Sequence, residues 1–215
     1  MHRYIREPVN GFTHLAGALL AFIGLLFMVV KGAQNLNSNF EILSVIIFGV
    51  SMILLYSASA TYHMVVASDQ VIALLRRLDH SMIYILIAGT YTPYCVITLE
   101  NPIGWIMLLV IWIIAILGVL FKLIWFHSPR WLSTVLYIVM GWLIIFAVKP
   151  LSDNLAMNGI IWLVVGGVIY TLGGVIYARK PKWLESKWLG FHEIFHLFIL
   201  AGSLAHFISV YFYVL

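Results

Sequence analysis

Seven stretches of the chain, at 11–30, 42–66, 80–99, 103–121, 131–148, 159–178 and 194–214, contain no Asp, Glu, Lys or Arg. Each is close to the length of about 20 residues that crosses the hydrocarbon core of a bilayer as a helix. The spacing predicts spanning helices, because the other spanning structure, a closed barrel, shows short alternating segments in place of continuous apolar runs. With 63% hydrophobic and 9% charged residues, the chain also lacks the polar shell of a soluble domain, in which about a quarter of residues are charged. The expected fold is all-α: a single seven-transmembrane helix bundle over residues 1–215, with no linker or second domain.

Five of the six prolines (Pro8, Pro102, Pro129, Pro150 and Pro181) fall between the stretches, and Pro93 lies inside the third, where a kink is expected. The first stretch follows Arg3 and Arg6, but it is too long for a signal peptide and lacks a small-residue cleavage site. Lys and Arg fall unevenly on alternate sides. Arg3, Arg6, Arg76, Arg77, Lys122, Arg130, Arg179, Lys180, Lys182 and Lys187 share one side, against Lys31 and Lys149 on the other. Ten against two places the amino terminus in the cytoplasm and the carboxyl terminus outside, in the plasma (inner) membrane as a multi-pass protein.

The formal charge of +4 is scattered rather than gathered on a face, so nucleic acid is not an expected partner. Cys95 has no second cysteine to pair with and reads as a packing residue. No internal repeat supports an inverted-repeat transporter. Gly166, Gly167, Gly173 and Gly174 predict a narrow stripe for close helix approach. Trp105, Trp125, Trp131, Trp183 and Trp188 lie near the ends of stretches, as interfacial anchors do.

Polar groups inside spans are costly, so their depth is informative. Given this orientation, Glu7, Asn10 and His14 lie at the inner end of the first span and Ser59 and His63 at the inner end of the second. Asp79 and His80 start the third, and His192, Glu193 and His196 open the seventh. Four helices thus deliver polar side chains to one leaflet. His192 and His196, four apart, share a helical face and can reach one ion. With His63 they form a three-nitrogen set that leaves a fourth position open, the pattern of a catalytic zinc.

Asp79 is a candidate proton carrier or, on a structural reading, the N-cap of the third helix. Ser59 could bond a water or a polarised carbonyl, or bond back to its own turn. His192-Glu-Ile-Phe-His196 formally matches the zinc-protease H-E-x-x-H pattern, but Glu193, beside Lys187 and Trp188, is expected to be solvated or ion-paired at the membrane edge. Glu7 and Asn10 are expected to be structural, with Glu7 pairing with an arginine or buttressing the site. His14 and His80 are candidates for outer support, His2 and His127 lie in water-exposed segments, and His206 points to no identifiable partner.

The segments Glu7-Pro-Val-Asn10-Gly-Phe-Thr-His14, Ser59-Ala-Thr-Tyr-His63, Leu78-Asp79-His80 and His192-Glu-Ile-Phe-His196 resemble the hemolysin III family over essentially the whole chain. That family belongs to the progestin and adipoQ receptor (PAQR) superfamily, which is related to alkaline ceramidase-type membrane hydrolases. The resemblance implies seven helices, an inner amino terminus, zinc held by His63, His192 and His196, and Ser59 and Asp79 nearby. The expected function is a zinc-dependent hydrolase of an amide or ester bond in a lipid-like substrate. The alternatives are a membrane-lytic, pore-forming protein and a ligand-binding receptor with a structural zinc.

Overall fold

A computed structural model of the chain describes residues 4–99, 102–125, 127–186 and 189–215; Arg3, His2, Lys187 and Trp188 lie outside them. The long helices are α1 (Pro8–Asn35), α2 (Asn39–Met64), α3 (Asp69–Pro93), α4 (Pro102–Ile124), α5 (Arg130–Trp142), α7 (Met157–Arg179) and α8 (Phe191–Ser209). The short α6 (Val148–Asn154) continues the line of α5. No strand occurs among the described residues.

Local chemistry sets the ends. Pro8 occupies the first turn of α1, where its missing N–H has no intrahelical partner to lose. Ser38 caps α2 in a capping box: its hydroxyl accepts the Glu41 N–H while the Glu41 carboxylate accepts the Ser38 N–H.

By length and composition, α1, α2, α4, α7, α8 and the combined stretch Arg130–Asn154 can each cross a bilayer. Helix α3 differs. It begins eleven residues before the apolar stretch that starts at His80, because Asp69, Arg76, Arg77 and Asp79 belong to the helix but not to its apolar part. Asp79 is therefore not an N-cap, a position held by Ser68, and neither Asp79 nor His80 starts the helix. At the far end, Pro93 closes α3 and the chain widens into a π turn, Tyr94–Thr98, rather than only kinking.

The fifth stretch is not one continuous helix. After Trp142 it tightens into a 3-10 turn, Leu143–Ala147, before α6 resumes. The cause is a side chain in the backbone ladder. The Tyr91 hydroxyl from α3 accepts the Ile144 N–H at 2.8 Å and faces the Gly141 and Met140 carbonyls at 2.7 and 3.1 Å. These contacts satisfy backbone groups that a break at membrane depth would otherwise leave bare.

The helices close on themselves. Helix α1 packs on α2 and α8, α2 on α3, α3 on α5, α5 on α7, and α7 on α8. Helix α4 lies against α3, where Gly118 admits the Tyr84 ring; a Cβ there would stand 2.4 Å from it. The glycines of α7 do permit close approach, to two partners: Gly166 and Gly173 face α8, and Gly174 faces α5. Trp105, Trp125, Trp131 and Trp183 are all more than half exposed, as expected of residues in the headgroup region.

Inside the ring of α1, α2, α3, α5, α7 and α8 lies an elongated cavity of about 200 Å³, lined mostly by apolar side chains. Helix α4 contributes nothing to its wall. His14, Ser59, Asp79, His192 and His196 line one end, and Leu151, Ile160 and His206 the other.

Candidate metal centre

The amino-terminal segment is strapped to the end of α2 before α1 begins. Glu7 N–H donates to the His63 carbonyl at 2.9 Å, and the Arg6 guanidinium donates to the Tyr62 carbonyl. This strap brings the Glu7 carboxylate to the His63 ring, where Oε2 lies 2.6 Å from Nδ1. Arg6 also pairs with the other Glu7 oxygen at 3.7 Å, so the carboxylate bridges the arginine and the His63 ring.

His63 is almost fully buried, and with Nδ1 committed to Glu7 its Nε2 is turned to α8. There, Nε2 of His192 stands 3.3 Å away. His196, one turn further along, presents its ring 4.9 Å from that of His63 and 4.7 Å from that of His192, centroid to centroid. One nitrogen from each of the three rings lies within 4.8 Å of the others.

Two nitrogens bound at 2.0–2.1 Å to one tetrahedral ion are separated by about 3.3–3.4 Å, which is the His63–His192 spacing. A lone N–H···N hydrogen bond would also suit that pair, but it gives no reason for a third imidazole to converge on the same point. The donor set fits a divalent ion bound by imidazole.

A further carboxylate holds the other ligand-bearing helix. Glu193 Oε2 accepts the Gly190 N–H at 2.9 Å and so caps α8, while Glu193 Oε1 accepts a hydrogen bond from Asn10 Nδ2 at 2.9 Å. The same Asn10 amide lies 3.3 Å from Glu7 Oε2. Glu193, expected to be solvated or ion-paired, is partly buried, and its two oxygens accept from buried Asn10 and from the start of α8.

Asn10 ties the buttress of His63 to the helix of His192 and His196. His14 completes the packing, its ring stacked on His196 at 3.6 Å with the planes 8° apart. Glu7, Asn10 and His14 follow an i, i+3, i+7 spacing on a single face, the sequence signal for this shared role.

The Ser59 hydroxyl is hydrogen-bonded to the Asp79 carboxyl, and both residues line the cavity together with His192 and His196. His80 does not join the cluster: Nδ1 bonds the Arg76 carbonyl at 2.7 Å and Nε2 the Tyr177 hydroxyl at 3.1 Å. Tyr177, which the sequence did not single out, lies against both His80 and His192.

A family model described as haemolysin-III related matches residues 2–207. The chain belongs to this family. It is 40% identical to Hemolysin-3 of Bacillus cereus, over 100% of this chain and 95% of that protein. It is 41% identical to the Hemolysin-3 homolog of Bacillus subtilis (strain 168), over 96% and 93%. Adiponectin receptor protein of Drosophila melanogaster is a distant homologue, 28% identical over 94% of this chain and 49% of that protein. Family membership agrees with the resemblance carried by the four motifs and with a lipid bilayer as the solvent of the fold.

Proposed function

We propose that the chain is a seven-span, zinc-dependent hydrolase of the plasma membrane that cleaves an amide or ester bond in a lipid-like substrate near the cytoplasmic leaflet. The observation that carries this reading is the convergence of His63, His192 and His196 beside an apolar cavity that His192 and His196 line. Helix α3 is the seventh span; its charged first half projects from the membrane and its part from His80 onward crosses it. The basic excess on one side supports a cytoplasmic amino terminus and a carboxyl terminus outside.

His63, His192 and His196 would hold the zinc, which would supply a Lewis acid for a carbonyl and lower the pKa of a water to about 7. Asp79 takes the proton from the attacking water and delivers it to the leaving amine or alcohol. The Ser59 hydroxyl orients the carboxylate or donates to the carbonyl oxygen as negative charge builds there. The apolar cavity receives the acyl chain and excludes water. His196 lies five residues into α8, about 7 Å from its start, a depth suited to a bond joining headgroup to chain.

Metal analysis of the purified protein is expected to return about one zinc per chain, lost in His63→Ala and His192→Ala. In a lipid-hydrolysis screen, Asp79→Ala is expected to lower turnover at least a hundredfold or so while retaining metal. Protein without zinc, or histidine variants with full zinc, would end this reading.

The name of the Bacillus cereus relative favours a second reading, membrane lysis with a structural metal. Leakage from liposomes that persists in Asp79→Ala and after chelation would select it. Tight lipid binding without product would select a receptor.

A further inference from the structure

His206 is a polar side chain that the metal centre does not use. It lies ten residues beyond His196 on α8, hence about 15 Å along the helix axis, and lines the opposite end of the cavity. It is 5% exposed, and its Nδ1 has no hydrogen-bond partner among the described residues. A histidine kept for packing would meet its polar atoms within the core, since unmet buried nitrogens are costly.

The surroundings are shaped to hold this ring. A Cβ on Gly166 would come within 2.7 Å of Nε2, so only glycine lets the imidazole lie against α7. One turn before His206, a Cβ on Gly202 would stand 2.4 Å from the Tyr170 ring, which is itself 5.2 Å from the His206 ring. The Tyr170 hydroxyl is fixed by Ser203 at 2.7 Å, and Ser203 also accepts from Tyr56 at 2.6 Å. Tyrosine and serine therefore satisfy one another, and the imidazole is left over. Two π turns, Tyr94–Thr98 and Val210–Val214, meet at this end of the ring of helices.

We infer that His206 forms a second recognition point, which binds a hydroxyl carried by the occupant of the cavity about 15 Å from the group at the histidine cluster. The ligand class is thus an amphiphile with polar groups at both ends of an apolar chain, not a chain ending in a methyl. This rests on the reading of the cavity as an acyl-chain site. It does not depend on turnover or on bound metal, because the contact lies at the other end.

The test uses the intact chain in lipid nanodiscs, treated with chelator, with empty nanodiscs as the blank. Dodecanoate and ω-hydroxydodecanoate are titrated calorimetrically. Wild type is expected to bind the ω-hydroxy acid about tenfold more tightly, the gain of one good buried hydrogen bond. His206→Phe loses the preference while still binding dodecanoate, and His206→Gln, which keeps a hydrogen-bonding group, retains part of it. Gly166→Ala, which displaces the ring, weakens the preference without touching either ligand end.

Equal affinities in wild type, or a preference that survives His206→Phe, overturn the inference and leave the acyl-chain site standing. Failure of both acids to bind overturns that site and the inference with it.

Discussion

At the scale of single residues, the centre depends as much on what holds the imidazoles as on the imidazoles themselves. With Glu7 accepting from Nδ1 of His63, the tautomer and ring orientation are fixed and Nε2 is left as the ligand atom. Glu7→Gln is expected to weaken zinc binding about 10–100-fold in a competition titration with a chromophoric chelator, with little change in the unfolding of the metal-free protein. An unchanged affinity would reduce Glu7 to part of the amino-terminal strap. The three histidines were legible in the sequence because a four-residue spacing on α8 and the depth of His63 converge by topology alone. Glu7 was legible as the partner of an arginine or a buttress, but the contacts of Glu193 were not: the Glu7, Asn10 and His14 spacing identifies a helix face without identifying what that face meets, and the Asn10 contact to Glu193 joins residues 183 apart.

At the scale of elements, apolar run length located the six stretches of helix that are long and apolar enough to cross a bilayer, and its failures are local and physical. Helix α3 is longer than its apolar part because a helix does not end where the membrane does, so charge placement hid the turns before His80. The break after Trp142 has no signature in its own stretch; its cause is the hydroxyl of Tyr91, 53 residues earlier than Ile144 in the chain. Tyr91→Phe leaves the Ile144 N–H and the facing carbonyls of Met140 and Gly141 without this partner inside the bundle. The expected loss is about 1–3 kcal/mol of stability, measured by reversible unfolding in mixed detergent micelles. A neutral result would mean that the 3-10 turn satisfies itself.

At the scale of the whole molecule, the proposed ion links elements far apart in sequence, so it should stabilise the bundle as any ligand of the native state does. Chelation is expected to lower the melting temperature of wild type in detergent and to leave His192→Ala, already depleted, unmoved. Orientation has its own readout. In a Cys95→Ala background, a single cysteine at Asn154 is expected to react with an impermeant maleimide on intact cells, and one at Lys180 only after permeabilisation; the reverse pattern would invert the bundle. The strap that seats Glu7 also carries a practical warning. Trimming the chain to its first apolar residue, Gly11, would look harmless on a hydropathy plot, yet it would delete the carboxylate beneath His63 and the amide that steadies α8. A protein shortened in this way would keep every long apolar helix and lose the hydrogen bonds that seat the His63 ring and tie α1 to the start of α8.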